Sequence, residues 1–199
     1  AACELGFGHG ISANMHAAAG TADWYGTDFN PSHAAFAQDM AASGTGARLY
    51  DEAFADFCNR ADLPDFDFIG LHGIWSWISP ANMNHIIDFL RRKLKVGGIC
   101  YISYNTYPGW NTVAPIRHLL TQHASSMSAP GIGVQGRVDA ALDFADALMN
   151  TNTLYGKANP NAAARLKGIR SNDRNYVAHE YLNECWIPMY FSELSKMLS

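Results

Sequence analysis

Paired cysteines are missing. Cys3, Cys58, Cys100 and Cys185 stand far apart, with no CxxC among them. This excludes a pattern-based zinc site and a dense disulfide framework, and it fits a reducing, cytoplasmic setting. Long apolar runs are missing too. None approaches the ~20 residues of a membrane span, so no membrane partner is expected, and no signal-peptide pattern is read. Positive charge is scarce: Lys and Arg number 14 against 18 Asp and Glu, for a net charge of −4. A chain of this balance has no general attraction for nucleic acid. The one basic cluster, Arg91, Arg92, Lys93 and Lys95, reads as the solvated face of a helix. An initiator Met is absent and a strand is already under way at Ala1, so truncation at the N-terminus is expected.

What is present is ordinary globular material. The 199 residues are 48% hydrophobic and 16% charged. That composition supports one domain, with room for a helical annex. Strand signals fall at residues 1–5, 24–29, 47–50, 66–71 and 99–104. Helix signals fall between them at 11–19, at 32–42 behind a Ser32 cap, near 52–59, and at 81–94 behind Ser79-Pro80. Val96-Gly97-Gly98 reads as the stop of the last of these. Strands alternating with helices argue for an α/β fold with a doubly wound, mostly parallel sheet. From residue 115 onward only helix signals follow, at 116–126, 135–149, 162–168, 176–185 and 191–198. Breaks at Pro130-Gly131, Asn159-Pro160 and Ile187-Pro188 separate them. The expected division is therefore an α/β core over residues 1–112 and a helical annex over 113–199.

Ligands of such sheets bind at the carboxyl ends of the strands. The first strand end reads Glu4-Leu5-Gly6-Phe7-Gly8-His9-Gly10. Glycines at alternate positions let the backbone approach a ligand and present amides near a helix N-terminus. Asp28 closes the second strand, at about the 20-residue offset where nucleotide-binding folds place a carboxylate for the ribose hydroxyls. Loop and carboxylate together favour a nucleoside ligand over an ordinary turn. The third glycine comes one residue early for a GxGxxG dinucleotide fingerprint, which counts against a nicotinamide enzyme.

Four motifs in order carry a resemblance. They are the ExGxGxG stretch, Asp28, the cluster Asp51-Glu52-Ala53-Phe54, and Leu94-Lys95-Val96-Gly97-Gly98 ahead of strand five. Over residues 1–105 the chain resembles class I methyltransferases that use S-adenosylmethionine (SAM) and release S-adenosylhomocysteine. The resemblance implies that Gly6, Gly8 and Gly10 line the methionine portion and that Glu4 helps place its amino group. It implies Asp28 on the ribose hydroxyls and Glu52, Ala53 and Phe54 at the adenine. His72, at the fourth strand end, would meet the transferred methyl. Phe7 and His9 occupy variable positions and receive no role.

Three further stretches, Leu71-His72-Gly73-Ile74-Trp75-Ser76-Trp77, Ser103-Tyr104-Asn105-Thr106-Tyr107-Pro108-Gly109-Trp110 and His179-Glu180-Tyr181-Leu182-Asn183, narrow the likeness. They resemble bacterial methyltransferases with a methyltransferase regulatory domain, whose relatives include protein-lysine methyltransferases. A protein lysine is thus an expected acceptor, beside a small molecule accepting on oxygen or nitrogen. A non-catalytic SAM-binding regulatory module stands as the rival. His72 and Tyr104 are candidates to take the acceptor's proton. Trp75, Asn105, Tyr107, Trp110 and His179 are candidates for the acceptor side, since aromatic faces attract cations. Packing of the annex accounts for the same aromatics equally well. His179-Glu180 opens like HExxH, but Asn183 stands where the second histidine belongs, so no metal is expected. The Asn/Asp-Pro-Pro-aromatic motif of base-amino methylation is absent after strand four, and nucleic acid is not an expected acceptor. The resemblance also implies two final strands that cannot be read here, so the chain is expected to be part of a longer enzyme. The sequence leaves the oligomeric state open.

Overall fold

Five short apolar strings become the strands of one parallel sheet: β1 (Ala2–Leu5), β2 (Trp24–Asp28), β3 (Arg48–Asp51), β4 (Phe66–Leu71) and β5 (Leu94–Ile102). The computed structural model describes residues 1–129 and 131–199; the expected break at Pro130 lies outside the described residues. Strand order is β3-β2-β1-β4-β5, all pairs parallel. All four residues of β1 are buried, as a central parallel strand requires. Strand succession reverses between β1 and β4, which opens a ligand crevice beyond their carboxyl ends. Leu5 is in register with Thr27, and Asp28 with Asp51, so the first three strands end together at that rim.

The crossovers are α1 (Ile11–Ala19), α2 (Pro31–Met40), α3 (Phe54–Phe57) and α4 (Pro80–Lys93). Against α3 and α4 the sheet lays a column of rings. Tyr25 meets Phe66 at 5.6 Å, and Phe66 and Phe57 each meet Phe89 at 5.9 Å. A second cluster of Phe7, Ala13, Ala34, Ala37 and Leu49 joins the glycine loop, α1, α2 and β3. The helix starts follow capping chemistry. Ser79 caps α4 by accepting from the Asn82 amide. The α2 cap is Asn30 rather than the expected Ser32: its side chain accepts from the Ser32 and His33 amides, and Pro31 takes the first helical position.

Strand β5 begins earlier than the sequence indicates. The α4 helix ends at Lys93 and Leu94 is already extended, so the Leu94–Gly98 stretch belongs to the strand. Leu94 pairs with Phe66 and Ile99 with Phe68. Five residues of β5 thus pass two of β4, and Lys95–Gly98 bulge outward with Gly97 at φ 84°. A π-turn at Ala41–Thr45 and a 3-10 turn at Trp75–Trp77 were not legible in the sequence.

The chain divides into two compact units, residues 1–105 with 192–199, and residues 106–191. The second unit contains α5 (Ala114–Ser126), α6 (Val134–Met149), α7 (Leu154–Ala158), α8 (Asn161–Arg170) and α9 (Arg174–Leu182). Its core is apolar, built on Ile116, Leu120, Leu142, Leu166 and Val177. Among the described residues it carries no strand, only a single bridge between Thr106 and Met189. The last helix, α10 (Phe191–Leu198), belongs from Ser192 onward to the first unit. Among the described residues no helix is long and apolar enough to cross a membrane.

Candidate functional site

The glycine loop follows β1 in a conformation that other residues resist. Gly6, Gly8 and Gly10 have φ of 72°, 58° and 67°, in the left-handed region. Two of them are also required by close packing. A Cβ on Gly10 would lie 2.4 Å from the Ala37 Cβ, and one on Gly6 would lie 2.7 Å from Ile74 Cγ2. Gly8 differs: a Cβ there meets nothing within 4 Å, so the space over the middle of the loop is open. The Gly6 amide donates to the Thr27 carbonyl at 2.8 Å, tying the loop to β2. Buried Asn14 donates to the carbonyls of Gly10 and Ala37, and Thr45 donates to Asn14, which locks loop, α1 and α2 together.

Asp28 sits at the rim beside this loop and is 7% exposed. Gly8 N–H donates to its Oδ2 and Asn30 N–H to its Oδ1, both at 2.9 Å. These two amides hold the carboxylate in one orientation. Immediately after it, Phe29 is 74% exposed.

Glu4 stands in β1, two residues before Gly6, and is also buried. Its Oε2 has no hydrogen-bond partner. Burial pushes its carboxyl up to about 7, against the opposing pull of hydrogen bonds from the Ser12 side chain and the Ala13 backbone. It faces a cavity of about 470 Å³ that is also lined by Trp24, Phe68, His72 and Tyr101.

His72 follows β4 and is exposed. Its ring stacks on Tyr101 of β5, with Nδ1 3.5 Å from the phenolic oxygen. The loop after β4 and the exit from β5 are stitched together. Gly73 N–H donates to Ser103 Oγ at 2.7 Å, and Asn105 N–H donates to Ser76 Oγ at 2.8 Å. Tyr104 and Asn105 are half-buried there, and the Asn105 Nδ2 is buried without a partner. Trp75 is fully buried in the 3-10 turn, so it packs as core and offers no open ring face.

On the adenine side of the expectation, Glu52 pairs with Arg60 at 2.6 Å, and its backbone carbonyl accepts from the Thr27 hydroxyl. Ala53 caps α3, and Phe54 is buried behind it. The remaining candidates belong to the second unit. Tyr107 packs against Tyr190 at 5.5 Å, and Trp110 lies 6.1 Å from Tyr181 and 5.4 Å from Trp186. His179 is exposed on α9. The first unit therefore gathers Glu4, the three glycines, Asp28, His72, Tyr104 and Asn105 at the strand ends. Four residues that adjoin these positions were given no role by the sequence reading: Phe29, next to Asp28 in the chain; His33, beside Asp28, and His9, against His33; and Tyr101, against His72. His9 and His33 are in ring contact at 4.4 Å, a proximity that no spacing in the chain announces. Among the described residues, no group of three or more His, Cys, Asp or Glu is placed to hold a metal ion.

A 3-2-1-4-5 parallel sheet with this turn after β1 and a held carboxylate at the end of β2 is the Rossmann-like fold seen in the cores of class I methyltransferases. Comparison with known proteins agrees. The family described as a predicted methyltransferase regulatory domain matches residues 173–199. An uncharacterised protein of Synechocystis sp. is 43% identical over 199 residues, covering 98% of this chain and 38% of that protein. An uncharacterised Rickettsia prowazekii protein is 34% identical over 128 residues, covering 64% of this chain and 50% of its own. Among solved structures, PKMT2 from Rickettsia typhi in complex with AdoHcy superposes with a TM-score of 0.76 at 26% identity. It covers 99% of this chain and 38% of PKMT2. The chain thus spans little more than a third of the Synechocystis protein and of PKMT2.

Proposed function

We propose that this chain is the cofactor-binding part of an enzyme that moves a methyl group from SAM to a nucleophile, with a protein lysine as acceptor. The observation that carries the reading is the Asp28 carboxylate, fixed by the Gly8 and Asn30 amides beside the left-handed glycine loop. The residues present fit the cofactor. Open space over Gly8 leaves room at the loop, and the partnerless Glu4 oxygen is a buried acceptor suited to an amino group. Gly6, Gly8 and Gly10 would line the methionine end, Asp28 would take the ribose hydroxyls, and Glu52, Ala53 and Phe54 would border the adenine. PKMT2, solved in complex with AdoHcy, supports the cofactor reading, and the lysine acceptor rests on the resemblance carried by the sequence motifs. The four free cysteines fit a reducing cytoplasm.

SAM supplies an electrophilic methyl on a sulfonium; the chain supplies alignment and a path for one proton. Orienting the reacting groups is worth up to ~7–11 kcal/mol of barrier. The acceptor nitrogen must shed a proton before it attacks. His72 is the first candidate to take it: the residue is exposed, with Nδ1 3.5 Å from the Tyr101 hydroxyl. Tyr104, at the neighbouring strand exit, is the second candidate.

Incubation with SAM labelled on the methyl carbon and a lysine-rich protein extract tests the reading. Label in lysine side chains is expected, with turnover reduced about a hundredfold or more in His72→Phe. Label in small molecules alone would reject the protein acceptor. Unchanged turnover in His72→Phe would reject that residue's role.

A further inference from the structure

Beyond Asp28, the rim holds a second side chain aimed at the same point. His33 stands in the first turn of α2, with Nδ1 3.8 Å from Asp28 Oδ1. Its backbone is fixed by the Asn30 cap. Its ring is fixed from the other side by His9 of the glycine loop, centroids 4.4 Å apart and tilted by 42°. His9 is held in turn by the edge of Phe36 at 5.7 Å. Two loops from different strand ends thus converge to orient one imidazole beside the rim carboxylate.

The 3.8 Å gap is informative. It is too long for a direct hydrogen bond, which needs ~2.7–3.2 Å. It is short enough for one oxygen atom to reach both groups. Oδ1 spends one lone pair on the Asn30 amide and keeps the other. A hydroxyl has one proton to donate and lone pairs to accept with. Seated between the two, it donates to Asp28 and accepts from His33 Nδ1–H.

We infer that His33 is a second ribose-recognition residue, which donates to the hydroxyl that Asp28 accepts from and selects for a ribose bearing it. This rests on the reading of Asp28 as the ribose carboxylate. The chemistry fixes the imidazole state. The hydroxyl's proton goes to the carboxylate, so Nδ1 must carry its own hydrogen.

Calorimetric titration of the purified protein with S-adenosylhomocysteine and its 2′-deoxy and 3′-deoxy forms tests the inference. His33→Phe keeps a ring against His9 and removes the donor. It is expected to bind S-adenosylhomocysteine about three- to tenfold more weakly than wild type. Against the deoxy form lacking the shared hydroxyl, wild type and His33→Phe are expected to bind equally. His33→Asn, whose amide nitrogen sits near the place of Nδ1, is expected to recover most of the loss. An equal deficit of His33→Phe against all three ligands would mean that the ring only supports α2, and would overturn the inference. So would no deficit at all while Asp28→Ala still abolishes binding. A folded wild type that binds none of the three would overturn the ribose reading itself, and this inference with it.

Discussion

The two compact units bury different things. The α/β unit places Glu4, Asn14, Thr27, Asp28 and Ser76 out of solvent, at or near the strand ends. Among the described residues the helical unit buries one polar residue, Arg117, in an otherwise apolar core. Arg117 donates to the Asn183 carbonyl and lies 4.3 Å over the Trp186 ring, and burial lowers its pKa. Buried polar groups cost stability unless they are satisfied. A unit that holds several at one rim, one carboxylate oxygen of them without a partner, is organised around something it binds. A unit whose one buried polar residue among those described is a cation bonded to its own backbone, with the Nε of that side chain left without a partner, is organised around its own packing.

That contrast can be broken by substitution. The largest effect belongs to the helical core. Leu142→Ala should cost about 3 kcal/mol in urea unfolding, while S-adenosylhomocysteine affinity stays within about twofold of wild type. A parallel loss of affinity would show that the two cores are not independent. Next comes Gly10→Ala. It meets Ala37 at 2.4 Å in a left-handed conformation, and should destabilise the α/β unit by about 3 kcal/mol.

Glu4→Gln sharpens the comparison through pH. The Glu4 carboxyl is raised from 4.5 to about 7 in the folded state. Its contribution to stability is therefore complete below about pH 4.5 and lost as pH rises through about 7. Above that, wild type carries a penalty of at most about 3 kcal/mol that Glu4→Gln lacks. Urea midpoints from pH 5 to 8 should converge at the acid end and favour the variant at the alkaline end. Parallel curves would mean that the carboxyl is not held in a dry site. The smallest effect is Gly8→Ala. With open space around it, the cost is about 1 kcal/mol of backbone strain, yet ligand binding should fall because the new methyl enters the space over the loop.

These residues also show what a sequence discloses. Strand β4 and helix α1 were readable to the residue, because apolar strings bounded by glycine and polar turns leave one reading. The α2 cap was not, because Asn30-Pro31-Ser32 offers two capping residues and only the placement of Pro31 chooses between them. The start of β5 was hidden by an irregular register: Leu-Lys-Val-Gly-Gly looks like a helix end when its bulge against Phe66–Phe68 is unknown. Within the site, the glycine turn after β1 and the carboxylate beside it were legible, because glycine at alternate positions and Asp28 at a strand end can be read from local sequence. Trp75 and His33 were not. The burial of one and the ring contact of the other with His9 arise only when distant segments fold together.

The central claim is that Asp28 and the glycine loop form a nucleoside site. Calorimetric titration of wild type and Asp28→Ala with S-adenosylhomocysteine tests it most directly. The expected result is saturable binding to wild type that weakens about a hundredfold or more in the variant, with little change in melting temperature, since a charge-assisted contact to each ribose hydroxyl is lost. Equal affinity in the two proteins, or no binding by a folded wild type, would contradict it.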